Sequence, residues 1–154
     1  MCLLLQRQPN EKGKIEADVS NFDIICYKVL IKIKFVKPFS NKKNKLGERT
    51  QYNYHSPYYT DYVYGKTNTE KHFERHVYQN SVNYGLHTFV SMDDAFRELR
   101  DWNIVYKGMK HVPCVVKCVI LVGTYYYKGH TDDNKESYCS ESLSLKEEII
   151  CKPL

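Results

Sequence analysis

The apolar and polar positions follow two different periods along the chain. Residues 24–36 alternate, with Ile25, Tyr27, Val29, Ile31, Ile33 and Phe35 on one side and Lys28, Lys32 and Lys34 on the other. Period two with β-branched residues predicts a strand buried on one face, its lysines turned outward to solvent. Residues 114–122 (Cys-Val-Val-Lys-Cys-Val-Ile-Leu-Val) are apolar on both faces except at Lys117, the pattern of a central strand. Between them lies a segment of helical period. Ser91 is a good N-cap, and Asp93 and Asp94 sit where the helix dipole favours carboxylates. Met92, Ala95, Phe96, Leu99 and Trp102 then recur as one stripe, so a helix over 91–103, stopped near Asn103, is expected to pack on the sheet.

Weaker signals complete the plan. Residues 2–7 and 82–90 read as short strands, the second with Gly85 at a tight or closely packed point. Tyr125-Tyr126-Tyr127 reads as the end of a strand entering a loop, and Leu143, Leu145 and Ile149 alternate in a last strand or two. The expectation is an α+β fold: one compact domain over 1–154, with a twisted, mainly antiparallel sheet and one principal helix. Residues 38–57 are polar and basic, and are expected to form a flexible loop.

Composition changes this picture little. Apolar content of 42% and charged content of 27% are ordinary, and 154 residues suffice for one domain with a real core. Fourteen tyrosines against one tryptophan are unusual. The net charge of +5 is unevenly spread, basic from Lys28 to Arg49 and acidic from Asp132 to Glu148. No apolar run is long enough to span a membrane, and the apolar start, which runs straight into Gln6-Arg7-Gln8, is too short for a secretory signal. A cytoplasmic protein with free thiols is expected, its six cysteines forming no Cys-x-x-Cys pair.

Candidate chemistry is sparse. No Gly-rich loop opens a helix, so a phosphate cradle is absent from the sequence. His72 and His76 would share a face only if residues 70–80 were helical, and they lack the zinc-protease spacing. No metal site and no cofactor is expected. Tyr58, Tyr59, Tyr62 and Tyr64 run into Gly65-Lys66, an aromatic-basic stretch suited first to a protein interface and second to stacking a nucleotide. His87, a tyrosine such as Tyr125 or Tyr138, and a late carboxylate such as Glu141 resemble the His, aromatic and carboxylate of ADP-ribosyltransferases, which use NAD.

Six blocks in order resemble a group of small uncharacterised proteins from phages, large DNA viruses and gut bacteria. They are Tyr27-Lys28, Tyr62-Val63-Tyr64-Gly65-Lys66, Gly85-Leu86-His87-Thr88-Phe89, Asp94-Ala95, Val115-Val116-Lys117-Cys118, and Tyr138-Cys139-Ser140-Glu141-Ser142-Leu143. The resemblance implies a compact α+β module of viral or mobile-element origin, and brings no activity with it.

The functional expectation is a small non-catalytic binding protein, a viral or phage factor for a host protein or signalling nucleotide. Its binding residues would be Tyr58, Tyr59, Tyr62, Tyr64, Lys66 and His87. An NAD-using transferase built on His87, Tyr125 and Glu141 is the first alternative, and a nucleic-acid-binding module the second.

Overall fold

Two ten-residue strands form the centre of the molecule, because each carries enough apolar side chains to be covered on both faces. The structure, a computed structural model, describes residues 2–33, 54–56, 61–62, 67–108 and 111–149. In chain order, β1 (Leu3–Leu4), β2 (Ile15–Glu16) and β3 (Asp18–Val19) precede the long β4 (Ile24–Ile33). The short strands β5 (Tyr54–His55), β6 (Asp61–Tyr62), β7 (Thr67–Thr69), β8 (His76–Val77) and β9 (Ser81–Val82) follow. Then come β10 (Leu86–Phe89), the helix α1 (Met92–Val105) and the second long strand, β11 (His111–Ile120). The described chain ends with β12 (Tyr125–His130), β13 (Glu136–Ser140) and β14 (Ser142–Ile149).

β4 and β11 pair antiparallel along their whole length, from His111↔Ile33 to Ile120↔Ile24. The main sheet runs β7-β14-β11-β4-β10-β13-β12-β1-β9, with β3 pairing β12, β5 pairing β4 and β6 pairing β5, and with β2 and β8 forming a separate pair. Every pairing is antiparallel. β13 and β14 lie four places apart in that order, yet only Glu141 separates them in the chain. A flat sheet cannot satisfy both facts, so the sheet curls. Its inner face closes on Cys26 and Leu30 from β4, Val116 and Cys118 from β11, and Leu143 and Leu145 from β14.

The outer face has two covers. Ala95 and Leu99 of α1 lie on Val29, Val115 and Phe89, with Phe96 and Trp102 half-buried beside them. Leu3, Leu5, Ile15, Val77 and Val82 lie instead on Tyr127 and Cys139. Each fully buried aliphatic side chain of this kind contributes about 1.5–3 kcal/mol. The helix begins as its sequence dictates: Ser91 Oγ accepts from the Asp94 N–H at 3.1 Å. It runs past Asn103 to Val105, and its last turn closes when the Tyr106 N–H bonds the Trp102 carbonyl. The fold is thus mostly antiparallel sheet with a single helix among the described residues, more sheet-dominated than the sequence pattern suggests.

Several expectations are corrected. Lys28 does not face solvent. It is 9% exposed, on the inner face between Cys26 and Leu30, whereas Ile25 of the supposed buried row is 52% exposed. Lys32 is also turned inward and forms an ion pair with Glu148; Lys34 lies outside the described residues. Tyr125 to Tyr127 begin a strand rather than end one, because the turn at Gly123 (φ 85°) precedes them. The expected strand over 82–90 is split into β9 and β10 at Gly85, whose φ is 151°. Residues 70–80 form a turn and β8, so His72 and His76 share no helix face. Within the expected loop 38–57, Tyr54 and His55 pair with Lys32 and Ile31 as a strand; residues 38–53 and 57 lie outside the described residues. No helix among the described residues is long and apolar enough to cross a membrane.

Candidate functional site

β4 and β10 are joined at a single register pair, Phe89↔Tyr27, and then part. The Lys28 side chain occupies the opening. Its Nζ donates to the His87 backbone carbonyl at 2.5 Å, so a side-chain amine reaches β10 where the backbone ladder has stopped. The same amine stands 5.2 Å from the centroid of the Tyr62 ring, within cation–π range. A cavity of about 240 Å³ runs from this split to α1. Lys28 of β4, His87 of β10, and Glu98 and Trp102 of α1 line it, together with Asn83 and Tyr84 from the lead-in to β10. Tyr62 and Glu70 line it as well. The cavity includes part of the helix packing and residues beside the second cover, and so falls in the seam between the two.

Gly85 sets the backbone path here. A Cβ at this position would collide with Cys139 Sγ and press on Phe73, and its positive φ disfavours any side chain. Close approach of β10's lead-in to β13 follows. It brings Cys139 Sγ within 3.7 Å of His87 Nε2 and 3.6 Å of the Tyr84 carbonyl.

Burial dominates the electrostatics. It lowers the Lys28 pKa to about 8, partly opposed by the buried thiols of Cys118, Cys139 and Cys26. No carboxylate among the described residues forms an ion pair with Lys28. Burial, and then the charge of Lys28, lowers the His87 pKa to about 3, so the imidazole is neutral near pH 7. The Asn83 carbonyl opposes that shift, but His87 Nδ1 makes no hydrogen bond among the described residues. Burial also pushes the Cys139 thiol up to about 12. The two carboxylates are differently engaged. Glu98 Oε1 accepts from Trp102 Nε1 at 3.0 Å and its Oε2 from Lys135 Nζ at 3.1 Å. Glu70 Oε1 accepts from the His72 N–H at 3.0 Å. The cavity therefore offers a desolvated amine, a neutral imidazole and an aromatic wall.

Of the residues singled out by sequence, His87 lines this cavity. Tyr62 lines it too, but at 2% exposure it is part of the inner core rather than an open stacking surface. Tyr58, Tyr59, Tyr64 and Lys66 lie outside the described residues. Tyr125 and Glu141 do come together: the Glu141 N–H bonds the Tyr125 carbonyl at 3.0 Å. The Arg75 guanidinium lies 4.0 Å from the Tyr125 ring centroid and 3.2 Å from Glu141 Oε1. Neither residue lines the cavity that His87 lines. Tyr138 is an edge-on partner of Tyr126, ring centroids 5.8 Å apart, against the inner core. Among the described residues no group of three His, Cys, Asp or Glu side chains is placed to hold a metal ion.

Lys28 is the cavity residue that periodicity misassigned. A usable signal was present: Ile24, Cys26 and Leu30 are apolar, so Lys28 interrupts a second apolar row rather than belonging to a polar one. Glu70, Glu98 and Trp102 carry no local signal of a cavity, since only the fold brings them together there. Comparisons with protein families, with curated proteins and with solved structures return no match for this chain.

Proposed function

We propose that the protein is a small non-catalytic binding protein whose ligand occupies the cavity between β4, β10 and α1, and that a nucleotide is the ligand class. One observation carries this reading: a buried ammonium, Lys28, lines the cavity with no carboxylate paired to it among the described residues. Burying such a charge costs several kcal/mol, and an anionic group on a ligand offsets that cost. Trp102, Tyr84 and Phe89 supply faces against which a base can pack. The resemblance to small phage, viral and gut-bacterial proteins supports a viral or mobile-element factor of one domain, acting in the host cytosol.

Titration calorimetry with a panel of nucleoside mono-, di- and cyclic phosphates tests this. The expected result is binding by wild type and loss of at least tenfold in affinity with Lys28→Met. Absence of heat with every nucleotide at millimolar concentration overturns the reading.

ADP-ribosyl transfer is the second reading, supported by His87 at an aromatic-walled cavity. It ranks lower because Glu141 is engaged with Arg75 and does not line the same space. NAD turnover abolished by His87→Ala would promote it above the first. Nucleic-acid binding ranks third, since Lys28 and Lys32 leave the expected basic stripe for the interior.

A further inference from the structure

We infer that Lys28 is a carbonyl-capturing amine, forming an imine with a small aromatic aldehyde admitted to the cavity. The inference rests on the same cavity as the nucleotide reading but asks for different chemistry. An amine that captures a carbonyl must be reachable by the ligand, held in place, and able to shed its proton. Lys28 meets the first condition by lining the cavity, although little of it is exposed to bulk solvent. It meets the second through the hydrogen bond to the His87 carbonyl, which uses one N–H and fixes the amine at the parting of the strands. It meets the third because no described carboxylate holds the ammonium form, and burial favours the neutral amine. Surface lysines lack that bias and stay almost wholly protonated near neutrality.

The step is balanced without a co-reactant. The Nζ lone pair attacks the carbonyl carbon, and the π pair moves to oxygen. One amine proton is transferred to that oxygen, giving a carbinolamine. The C–O bond then breaks, the second amine proton leaves with it as water, and a C=N bond remains. Hydrolysis reverses the sequence. Val29, Phe89 and Trp102 supply an apolar, aromatic part of a wall that Glu70, Glu98 and Asn83 complete with polar groups, and that part suits an aldehyde with a flat apolar body. The volume of about 240 Å³ sets its size near a single ring.

The test uses the full chain with benzaldehyde and sodium cyanoborohydride at pH 8, followed by peptide mass mapping. The expected result is one dominant label at Lys28, at least tenfold above any other lysine, and its absence in Lys28→Met. Circular dichroism and thermal melting establish that the variant is folded. Label spread over exposed lysines with Lys28 unmodified overturns the inference, as does equal labelling of wild type and a folded Lys28→Met. The nucleotide reading fails separately. If no nucleotide binds but Lys28 is labelled, that reading falls and the imine stands. If nucleotides bind in a Lys28-dependent way without labelling, the imine falls and the reading stands.

Discussion

Lys28 and His87 are 59 positions apart, and the amine of the first holds the backbone carbonyl of the second at 2.5 Å. The bond bridges two strands where their ladder fails, so a charged group serves as a structural strut inside an apolar face.

Its cost predicts a pH-dependent stability difference. The Lys28 pKa falls from 10.5 in the open chain to about 8 in the fold, so the folded state binds fewer protons between those values. The penalty is fully present below about pH 8 and disappears as pH rises through 10.5. At 1.36 kcal/mol per unit it is about 3 kcal/mol, against about 2 kcal/mol gained from the hydrogen bond of this charged donor. Lys28→Met should therefore be more stable by about 1 kcal/mol at pH 7 in urea unfolding. The advantage should vanish by about pH 10.5. A variant less stable than wild type at pH 7 would refute this.

His87 gives a dependence of the same sign in a more acidic window. Its pKa drops from 6.5 to about 3, so below pH 6.5 the unfolded chain takes up a proton that the folded chain refuses. Stability is complete above pH 6.5 and is lost progressively down to about pH 3. Between pH 6.5 and 5 the loss is about 2 kcal/mol. His87→Gln should remove that component, flattening the stability curve over this range even if its stability at pH 7 is lower. Parallel slopes for the two proteins would contradict the assignment.

The approach of Gly85 to Cys139 predicts strong coupling. Gly85→Ala places a methyl group against Cys139 Sγ and demands a positive φ, and should cost about 3 kcal/mol or more. Cys139→Ala removes the colliding sulfur and should cost about 1–2 kcal/mol by itself. The double variant should be more stable than the sum of the two losses by about 1 kcal/mol. Simple additivity in chemical unfolding would show that the sulfur is not the obstacle.

Thiol chemistry should follow burial. Cys26 and Cys118 face each other across β4 and β11, and both are fully buried. Burial lifts Cys26 to about 11 and raises Cys118 well above the ordinary thiol range, so neither presents thiolate near neutrality. Among Cys2, Cys26, Cys114, Cys118 and Cys139, an aromatic disulfide reagent should label Cys2 promptly and the others at the rate of unfolding. Mass mapping of early time points checks the order.

The legible parts of this fold are those governed by neighbours in the chain. Ser91 as cap, the Ala95–Leu99 stripe and the apolar run of β11 appear in sequence because local spacing determines them. The orientation of Lys28 does not, since both faces of β4 are covered at different points along the strand. α1 covers Val29 on one face while β14 and the curl of the sheet close over Leu30 on the other. Ile25 lies beyond the helix and stays exposed. Of the cavity, the sequence marks only His87 and Tyr62 as binding residues. Lys28, Glu70 and Trp102 come from a strand, a turn and a helix that meet only after the sheet has curled.

The position of β4 also bears on how the chain is made. Its long ladder partner is distant, the Ile24↔Ile120 pair spanning 96 positions, so most of β4 is synthesised long before β11 can reach it. At roughly 5–20 residues per second that interval is about 5–20 s. During it an apolar strand stands unpaired, and an edge of that kind recruits other chains. Lys28 is then hydrated and charged, in the middle of the stretch from Ile24 to Leu30, where a charge is expected to oppose self-association. Refolding by dilution at increasing protein concentration should expose the trade. Lys28→Met, although more stable once folded, should yield less native protein than wild type and more aggregate by light scattering.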